Sequence, residues 1–368
     1  MTERKKIVWV LGAGFSRSLG GPLLTDMFSE TSAAITWRVF PHDAYKHLYA
    51  PCSLDQVLAA YRWGLRNWKW GEYDLWQNAE EFLDILDSAH ENPRSPIRAL
   101  MENHGGVPEP MRDMGTALSC ARRFLAAECA AFLEYADVST ERWQPYRRWA
   151  TEHVDGGDTI ITFNYDQVLE KLIRACLPTS TPARYTVRRP GVTPSDSKAQ
   201  VLKLHGSVDW ERNLNPGTGE VTYRIDEKPV ALTAEDDGEV ALAAPGPTKL
   251  RRAKELDCLW TAAEAALREA GVVIFLGYRF PPTDSEARSR LLGALSENKQ
   301  DDVSVHTVLG PDIHSPDSAR LAGLLHHTLR STRFDRESVH TITERGTYSV
   351  TAQPLYAEDY LSVFTRSP

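Results

Sequence analysis

The sequence predicts an α/β fold in which helices cover a parallel sheet on both faces and a large helical insertion interrupts the chain. Two observations support this prediction. Short, continuously apolar runs alternate with stretches of helical periodicity, which is the pattern of a parallel sheet with helical crossovers. Between residues 36 and 155, by contrast, strand signals nearly vanish and helical spacing dominates.

The strand signals lie in the first few residues and in the second half of the chain. The apolar runs are at 7–11, 159–163, 201–204, 272–276 and 303–309. Each is short enough for a strand, and the runs at 7–11 and 272–276 are apolar throughout, as expected of strands buried on both faces. The core is therefore predicted to be a parallel sheet of Rossmann-like type.

The segments between these strands give helix and turn signals. Apolar residues at 23, 24, 27 and 28 predict a helix after Gly20-Gly21-Pro22, and further helices are predicted at 250–270 and from Asp284. Residues 178–198 are rich in Pro, Thr and Ser, which favours a loop with a short strand. A turn sequence at 213–220 between extended arms predicts a β-hairpin.

These patterns suggest a division of the chain into three parts. Residues 1–35 and 156–345 are predicted to form the Rossmann-like core, 36–155 a helical insertion, and 346–368 a C-terminal segment that packs on the core. Tryptophans 63, 68, 70 and 76 cluster in the insertion. No basic stripe accompanies them, so they are better explained as its core and interface than as a base-stacking platform.

Composition excludes several classes of protein. The formal net charge of -8 does not fit the basic footprint of a nucleic-acid binder. The five cysteines, an odd number without C-x-x-C spacing, favour reduced thiols over a disulfide framework or a zinc site. No apolar run approaches the length of a membrane span. We therefore expect a soluble, cytoplasmic protein that binds neither nucleic acid nor membrane and holds no metal.

The turn Gly12-Ala13-Gly14 follows the first strand and precedes a helical signal. Glycines allow the backbone to approach a phosphate closely, and a helix N-terminus stabilises the anion. Arg17 stands where the third glycine of the dinucleotide fingerprint would be, so this is not the usual dehydrogenase motif. Taken alone, the motif fits either a tight turn or a phosphate loop.

Polar residues follow three other predicted strands. Asn164 and Asp166 follow the second, His205 the third, and Gly277-Tyr278 with Asp284 the fourth. Ligands bind at the carboxyl ends of parallel strands, so these residues are expected at one edge of the sheet. Asp166 and Asp284 could equally be helix caps. His205 has the residue type for proton transfer near neutral pH, whereas Asn164 can only position groups.

Taken in order, the four turns resemble the sirtuin-like NAD-binding family. Each motif is modest alone, but the ordered set is specific. The matching segments are Gly12-Ala13-Gly14-Phe15-Ser16 with Gly21-Pro22, Thr162-Phe163-Asn164-Tyr165-Asp166, Leu204-His205-Gly206-Ser207 and Gly277-Tyr278-Arg279-Phe280-Pro281-Pro282.

The resemblance implies roles for these residues. Asn164 and His205 would be the catalytic pair, and NAD would be the substrate. The binding residues would be Gly12, Ala13, Gly14, Phe15 and Ser16 at the pyrophosphate and Gly277 with Tyr278 at the ribose, with Asp166 and Asp284 as further candidates. The family's deacetylases carry a four-cysteine zinc module after the catalytic histidine, whereas this chain has only Cys258 between His205 and Gly277. It is more similar to the bacterial anti-phage branch, which implies an NAD hydrolase.

That branch also implies partners. We expect a homo-oligomer controlled in trans by a regulatory protein, with a HerA-type hexameric ATPase and a short Argonaute as candidates; this expectation rests on analogy. Two other functions remain open from the sequence. One is an NAD-dependent protein deacylase or ADP-ribosyltransferase that uses the same site, and the other is a non-catalytic module that senses NAD or ADP-ribose.

Overall fold

A parallel sheet forms the centre of the molecule. The computed structural model describes residues 5–66, 75–176, 182–192, 198–226, 229, 240–333 and 347–366, and Trp68 and Trp70 lie outside them. Within this part of the chain, seven parallel strands run in the order β10-β9-β8-β1-β2-β4-β3. They are β1 (Ile7–Leu11), β2 (Thr159–Thr162), β3 (Tyr185–Val187), β4 (Ala199–Lys203), β8 (Val272–Leu276), β9 (Asp302–Val308) and β10 (Thr347–Gln353).

The central strands are buried because their apolar residues face helices on both sides. β1 pairs with β2 and with β8, and all five of its residues are buried. Val8 and Val10 face one hydrophobic cluster, while Ile7, Trp9 and Leu11 face another. The predicted α/β fold with a parallel, Rossmann-like sheet is thereby confirmed. The predicted strands at 7–11 and 272–276 match in full, and the other three match to within two residues at each end.

A second, antiparallel sheet follows β4. It has the order β6-β5-β7 among the described residues and contains the predicted hairpin, with Leu214 opposite Val221. Its strands are β5 (Gly206–Leu214), β6 (Val221–Ile225) and β7 (Val240–Leu242). β5 begins one residue after His205, so the sheet continues directly from the turn that carries this histidine.

Helices make up most of the remaining described chain. The α-helices are α1 (Ala13–Arg17), α2 (Glu30–Val39), α3 (Leu54–Arg66), α4 (Ala79–Glu91), α5 (Pro96–Asn103), α6 (Met114–Glu134), α7 (Gln144–Arg148), α8 (Val168–Cys176), α9 (Thr248–Glu255), α10 (Asp257–Glu269), α11 (Ser285–Ser296), α12 (Pro316–Arg333) and α13 (Ala357–Val363). Short 3-10 helices occur at Lys46–Tyr49, Glu109–Arg112 and Glu141–Trp143, and a π-helical turn at Trp149–His153. No described helix is both long enough and apolar enough to cross a membrane.

Two predicted helices differ from the structure. Residues 24–28 form turns instead of a helix, because Phe28 has a left-handed backbone (φ 55°) and Ser29 begins α2 by capping the N–H of Ser32. The single helix predicted at 250–270 is two helices, α9 and α10. They meet at Leu256, which is buried and non-helical (φ -97°, ψ 16°).

The insertion has a core of its own that also extends beyond it. Helices α2 to α6 share one hydrophobic cluster that includes the buried Trp63 and Trp76. Val208 of β5 and Leu242 of β7 belong to the same cluster. Farther along the chain, Trp143 and Trp149 pack against the main sheet instead. The bounds assigned to the three parts from the sequence stay a prediction.

The C-terminal segment contacts the main sheet at two places, the free edge of β9 and the starts of β1 and β2. β10 adds a parallel edge strand beside β9. Arg366 donates from both terminal nitrogens to Asp158, with Nη1–Oδ2 at 2.6 Å and Nη2–Oδ1 at 2.8 Å. Asp158 also accepts the backbone N–H of Ile7 at 3.0 Å. This buried ion pair thus ties the last described residues to the starts of β1 and β2, at the edge of the sheet opposite the predicted site.

Candidate functional site

A cavity of about 570 Å³ opens at the carboxyl ends of the parallel strands, within the size range of small-ligand sites. Most of the residues singled out from the sequence line it, and they come from the turns after β1, β2, β4 and β8. They are Gly12, Ala13, Gly14, Ser16, Asn164, Asp166, His205, Gly277, Tyr278 and Asp284. The topology thus brings together residues that are far apart in the sequence.

Phe15 is the predicted binding residue that does not line this cavity. Its side chain is buried on the other side of α1, where the ring packs edge-on against Tyr146 at 5.1 Å and near Trp149 at 5.7 Å between centroids. Tyr146 also donates its hydroxyl to the Phe15 carbonyl at 2.8 Å. Phe15 therefore anchors the turn from behind.

The glycine turn after β1 lies in direct backbone contact with the turn after β8. A Cβ on Gly14 would lie 2.7 Å from the Cα of Gly277, and one on Gly12 would lie 2.4 Å from the Gly277 carbonyl oxygen. Gly277 also has a positive φ of 70°, which disfavours any other residue. The close approach of the two turns requires these glycines whether or not a ligand is bound.

The same contact occupies several backbone donors of the turn. Gly12 donates to Leu276 at 3.1 Å, Gly14 to Gly277 at 3.3 Å and Phe15 to Gly12 at 2.8 Å. These N–H groups cannot also bind a phosphate in this arrangement. Other donors near the start of α1, such as the N–H of Ala13, would have to meet the anion.

Asn164 is fixed by the glycine turn. Its amide nitrogen donates to the Gly12 carbonyl and to the Ser16 hydroxyl, both at 3.0 Å. Because a carbonyl can only accept, the atom facing Gly12 must be Nδ2. Both amide protons are then used, and Oδ1 is left as the acceptor that Asn164 can offer to a ligand or water in the cavity.

Ser16 links Asn164 to Asp166. While it accepts from Asn164, its hydroxyl donates to Asp166 Oδ2 at 2.6 Å. Asp166 also accepts the N–H of Val168 at 3.0 Å, so it joins the start of α8 to the glycine turn. Burial raises the pKa of Asp166, although the Ser16 hydrogen bond and Lys203 oppose this effect.

Lys203 stabilises the turn that carries Asn164 and Asp166. Its buried ammonium group donates to the Asp166 carbonyl at 2.7 Å and to Glu170 Oε1 at 2.9 Å. Burial alone would lower the pKa of Lys203, but Glu170, Asp209 and Asp166 raise it above its usual value. A charged lysine therefore stays in place under the turn, and sequence analysis did not identify it.

His205 lies among aromatic rings and is only 6% exposed. Phe163 packs edge-on against it at 4.8 Å between centroids, and Trp260 lies at 6.3 Å. Phe163 in turn stacks flat on Tyr278 at 3.9 Å. Burial and then Lys249 lower the pKa of His205, while Asp284 opposes them. The ring is accordingly neutral near pH 7, the form that can accept a proton.

Asp284 stands at the start of α11 but does not cap it with its side chain. Instead the buried carboxylate faces His205 Nε2 at 3.4 Å and Lys249 Nζ at 3.3 Å, and it accepts the Tyr278 hydroxyl at 2.9 Å. Burial would raise the pKa of Asp284, but His205, Lys249 and Tyr278 together hold it well below its usual value. The carboxylate is therefore ionised.

Further cavity residues were not foreseen from the sequence. Lys249 at the start of α9 and Glu80 at the start of α4 both line the cavity, as do Cys129 and Phe132 of α6. Their sequence neighbourhoods are ordinary amphipathic helices, so no local signal marks them. No group of His, Cys, Asp and Glu within the described ranges is arranged to hold a metal ion.

Residues 158–327 match a family model described as the SIR2-like domain. This stretch of the chain is therefore similar to SIR2-like domains. The matched stretch contains Asn164, His205, Gly277 and Asp284, and the glycine turn at Gly12 precedes it. The match agrees with the resemblance to the sirtuin-like family that the motifs predict.

One solved structure that this chain is similar to comes from work titled "Structural Basis for the Mechanism and Regulation of Sir2 Enzymes". The two are 13% identical, and the alignment covers 90% of this chain and 94% of that one with a TM-score of 0.26. No curated protein matches the chain.

Proposed function

We propose that this chain is an NAD⁺ hydrolase that cleaves the bond between nicotinamide and ribose. The observation that carries the proposal is the placement of an amide acceptor, Asn164, and a buried neutral imidazole, His205, in one cavity with the glycine turn. Hydrolysis of this bond needs an orienting acceptor, a proton acceptor and a closed pocket, and these residues have the matching chemistry.

Asn164 would position the attacking water. Its two amide protons are held by Gly12 and Ser16, so the orientation of Oδ1 is fixed before a ligand enters. A water or ribose hydroxyl that donates to Oδ1 is then presented in one direction. Such preorganisation lowers the entropic part of the barrier.

His205 would take the proton. The water oxygen bonds to C1′ of the ribose while the C1′–N bond breaks, and its electron pair stays on nicotinamide, which leaves as a neutral pyridine. The proton released by the water passes to His205 and then to solvent, so the products are ADP-ribose, nicotinamide and one proton. General-base assistance of this kind contributes roughly 10²–10⁴ in rate.

Protein deacylation is less well supported. Between His205 and Gly277 the chain has one cysteine, Cys258, which is exposed. The four-cysteine zinc module of the deacetylases is thus replaced by β5, β6 and β7 with α9 and α10. The acyl-peptide groove would lack one of its usual walls.

Incubation of the full chain with NAD⁺ alone tests the proposal. We expect loss of NAD⁺ with release of nicotinamide and ADP-ribose, and loss of this activity by at least about 10²-fold in Asn164→Ala and His205→Ala. Asn103→Ala and His327→Ala, at exposed positions that do not line the cavity, are the matched controls and should keep full activity.

Three results would overturn the proposal. NAD⁺ loss that requires an acylated peptide would indicate a deacylase. Binding of NAD⁺ or ADP-ribose without turnover, with and without a partner protein, would indicate a sensing module. Folded Asn164→Ala and His205→Ala variants that keep wild-type rates would rule out these catalytic residues.

We also propose a role in anti-phage defence, in which the chain depletes NAD as a homo-oligomer controlled in trans. The motif order and the helical region support this by resemblance. Bacteria expressing the chain with its neighbouring gene should lose NAD on infection and resist phage, and those expressing Asn164→Ala should not. A HerA-type ATPase or a short Argonaute encoded next to the chain would name the controlling partner, whereas full activity of an isolated monomer would contradict control in trans.

A further inference from the structure

The His205 ring has a charged neighbour at one of its two nitrogens, Nε2. Its Nε2 is buried and lies 3.4 Å from Asp284 Oδ2, an ion-pair distance that is longer than an aligned hydrogen bond. The other contacts of the ring are the aromatic side chains of Phe163, Tyr165 and Trp260. Catalytic hydrogen bonds are often long before a substrate binds, so a small shift can align Nε2–H with Asp284.

A carboxylate at Nε2 decides which nitrogen can act as the base. If Nε2 keeps its proton to face Asp284, Nδ1 is the nitrogen with a free lone pair. Asp284 is itself held by the Tyr278 hydroxyl at 2.9 Å and is 1% exposed. The orientation of the Asp284 carboxylate is therefore set by Tyr278 in the turn after β8 and not by solvent.

An unbalanced carboxylate beside His205 would favour the protonated ring, which cannot act as a base. The positive charge of Lys249 offsets the negative charge of Asp284, because its Nζ lies 3.3 Å from Asp284 Oδ1 and its side chain is largely buried. Further titratable or charged groups around this cluster are Glu80 of α4, Cys129 of α6, Arg279, Arg288 and the hydroxyls of Tyr165 and Tyr278. Both tyrosine hydroxyls have pKa values well above their usual range because of burial, so they stay uncharged.

We propose that Asp284 and Lys249 are positioning residues that act as a pair on His205: the carboxylate fixes the ring with Nδ1 as the accepting atom, and the ammonium keeps the ring in its neutral form. This inference rests on the proposed hydrolase function for its catalytic meaning, but not for its physical test. Neither residue needs to touch the reacting atoms.

The pair makes a prediction that a packing role does not. Lys249 lowers the pKa of His205 and Asp284 raises it. Loss of the cation in Lys249→Met should therefore raise the His205 pKa, and loss of the anion in Asp284→Asn should lower it. Disrupted packing alone would expose the ring to water and move the pKa upward in both variants.

The experiment is a pH titration of the full chain with ¹³Cε1-labelled histidine, followed by NMR, with His205 assigned from the signal missing in His205→Gln. We expect a shift of about half a pH unit or more in each variant, in opposite directions. Lys249→Arg should restore the wild-type value. Lys254→Met, an exposed lysine of the same helix, is the matched control and should not move it.

The proposal would be overturned by any of three results. The His205 pKa could shift in the same direction in both variants, it could shift in neither, or it could shift equally in Lys254→Met. Should Lys249→Met fail to fold, Asp284→Asn still decides, since only a downward shift agrees with the proposal. Should that variant also fail to fold, Lys249→Gln and Lys249→Arg decide together: the pair requires an upward shift of the His205 pKa in Lys249→Gln that is absent in Lys249→Arg, whereas a packing role moves it upward in both.

Turnover gives a separate readout. The acid limb of the pH profile of kcat/KM for NAD⁺ should move to higher pH in Lys249→Met and to lower pH in Asp284→Asn. If NAD⁺ is not hydrolysed at all, the titration still tests the pair. If NAD⁺ is hydrolysed and the His205 pKa does not respond, only the pair is wrong.

Discussion

A single hydroxyl, that of Ser16, connects the glycine turn to the candidate catalytic amide of Asn164. Ser16 accepts from Asn164 at 3.0 Å and donates to Asp166 at 2.6 Å, and it is almost fully buried. Its only proton is used inside the protein, so it has none to offer to a phosphate in this arrangement. At the scale of one residue, Ser16 acts as a bridge that orients Asn164.

Ser16→Ala tests this role. Removing the hydroxyl leaves Asn164 with one of its two contacts, so we expect kcat for NAD⁺ loss to fall about 10²-fold while KM changes little. Ser139→Ala is the matched control, because that serine is exposed, does not line the cavity and donates its hydroxyl to Asp137 at 2.7 Å. A large rise in KM with unchanged kcat would instead show that Ser16 binds the substrate directly.

At the scale of elements, α4 of the helical insertion packs against the start of α9. Gly246, two residues before α9, packs directly on the buried Asp87 of α4, and Arg251 of α9 lies 3.1 Å from Glu91 at the end of α4. Lys249 follows Gly246 by three residues. The helical region thus has a physical route to the residues around His205.

Gly246→Ala should disturb this route. Its backbone has φ 128°, and an added Cβ would lie 2.3 Å from Asp87 Oδ2, so α9 or α4 must move. We expect a destabilisation of about 1–3 kcal/mol in denaturant unfolding together with a clear loss of NAD⁺ turnover.

Gly219→Ala in the β5–β6 hairpin is the control for backbone strain. Gly219 also has a positive φ, 71°, but an added Cβ would meet nothing within 4 Å. It should cost some stability and leave turnover intact. If both variants behave alike, the contact between α4 and α9 has no influence on the site.

At the scale of the whole molecule, a buried carboxyl makes stability depend on pH. Glu128 of α6 is 2% exposed, and both of its oxygens lie 3.2 Å from the Phe28 N–H. Burial raises its pKa from 4.5 to about 8, although the Phe28 and Ser32 hydrogen bonds oppose this. The folded state therefore binds a proton here that the unfolded state releases above about pH 4.5.

The free energy of unfolding should accordingly fall as the pH rises from about 4.5 to 8, since the native state then holds more protons than the unfolded state. The contribution is at most about 5 kcal/mol, at 1.36 kcal/mol per unit of pKa. In Glu128→Gln this dependence should flatten in urea unfolding across that range. Glu134→Gln, exposed on the same helix, should keep the wild-type slope, and an unchanged slope in Glu128→Gln would contradict the assignment.

The sequence predicts the sheet well because strands buried on both faces must be apolar throughout, as β1 and β8 are. The polar ends of these strands and the glycine turn also follow from the sequence, since parallel topology places them at one edge. The turn at 24–28 was missed because its apolar spacing resembles a helix, whereas the left-handed Phe28 depends on tertiary contact with Glu128.

Lys249, Glu80 and Lys203 were missed for a different reason. Each is a charged residue whose burial arises only when distant elements meet, and no local pattern distinguishes it from a solvated residue. β10 was also not foreseen as a strand, since its polar and apolar residues are mixed and it lies at the edge of the sheet. Contacts with distant parts of the chain determine the environment of these residues, so the neighbouring sequence does not predict it.

Gly14 is synthesised well before Gly277. Until Gly277 is made, the amides of Gly12 and Gly14 lack their acceptors, because these are the carbonyls of Leu276 and Gly277 at the end of β8. A nascent chain that already contains Asn164 and His205 still lacks half of the cradle and the carboxylate of Asp284. Translation therefore completes the cavity only after Gly277 and Asp284 have been made, so shorter nascent chains carry the candidate catalytic residues without the pocket that would let them act.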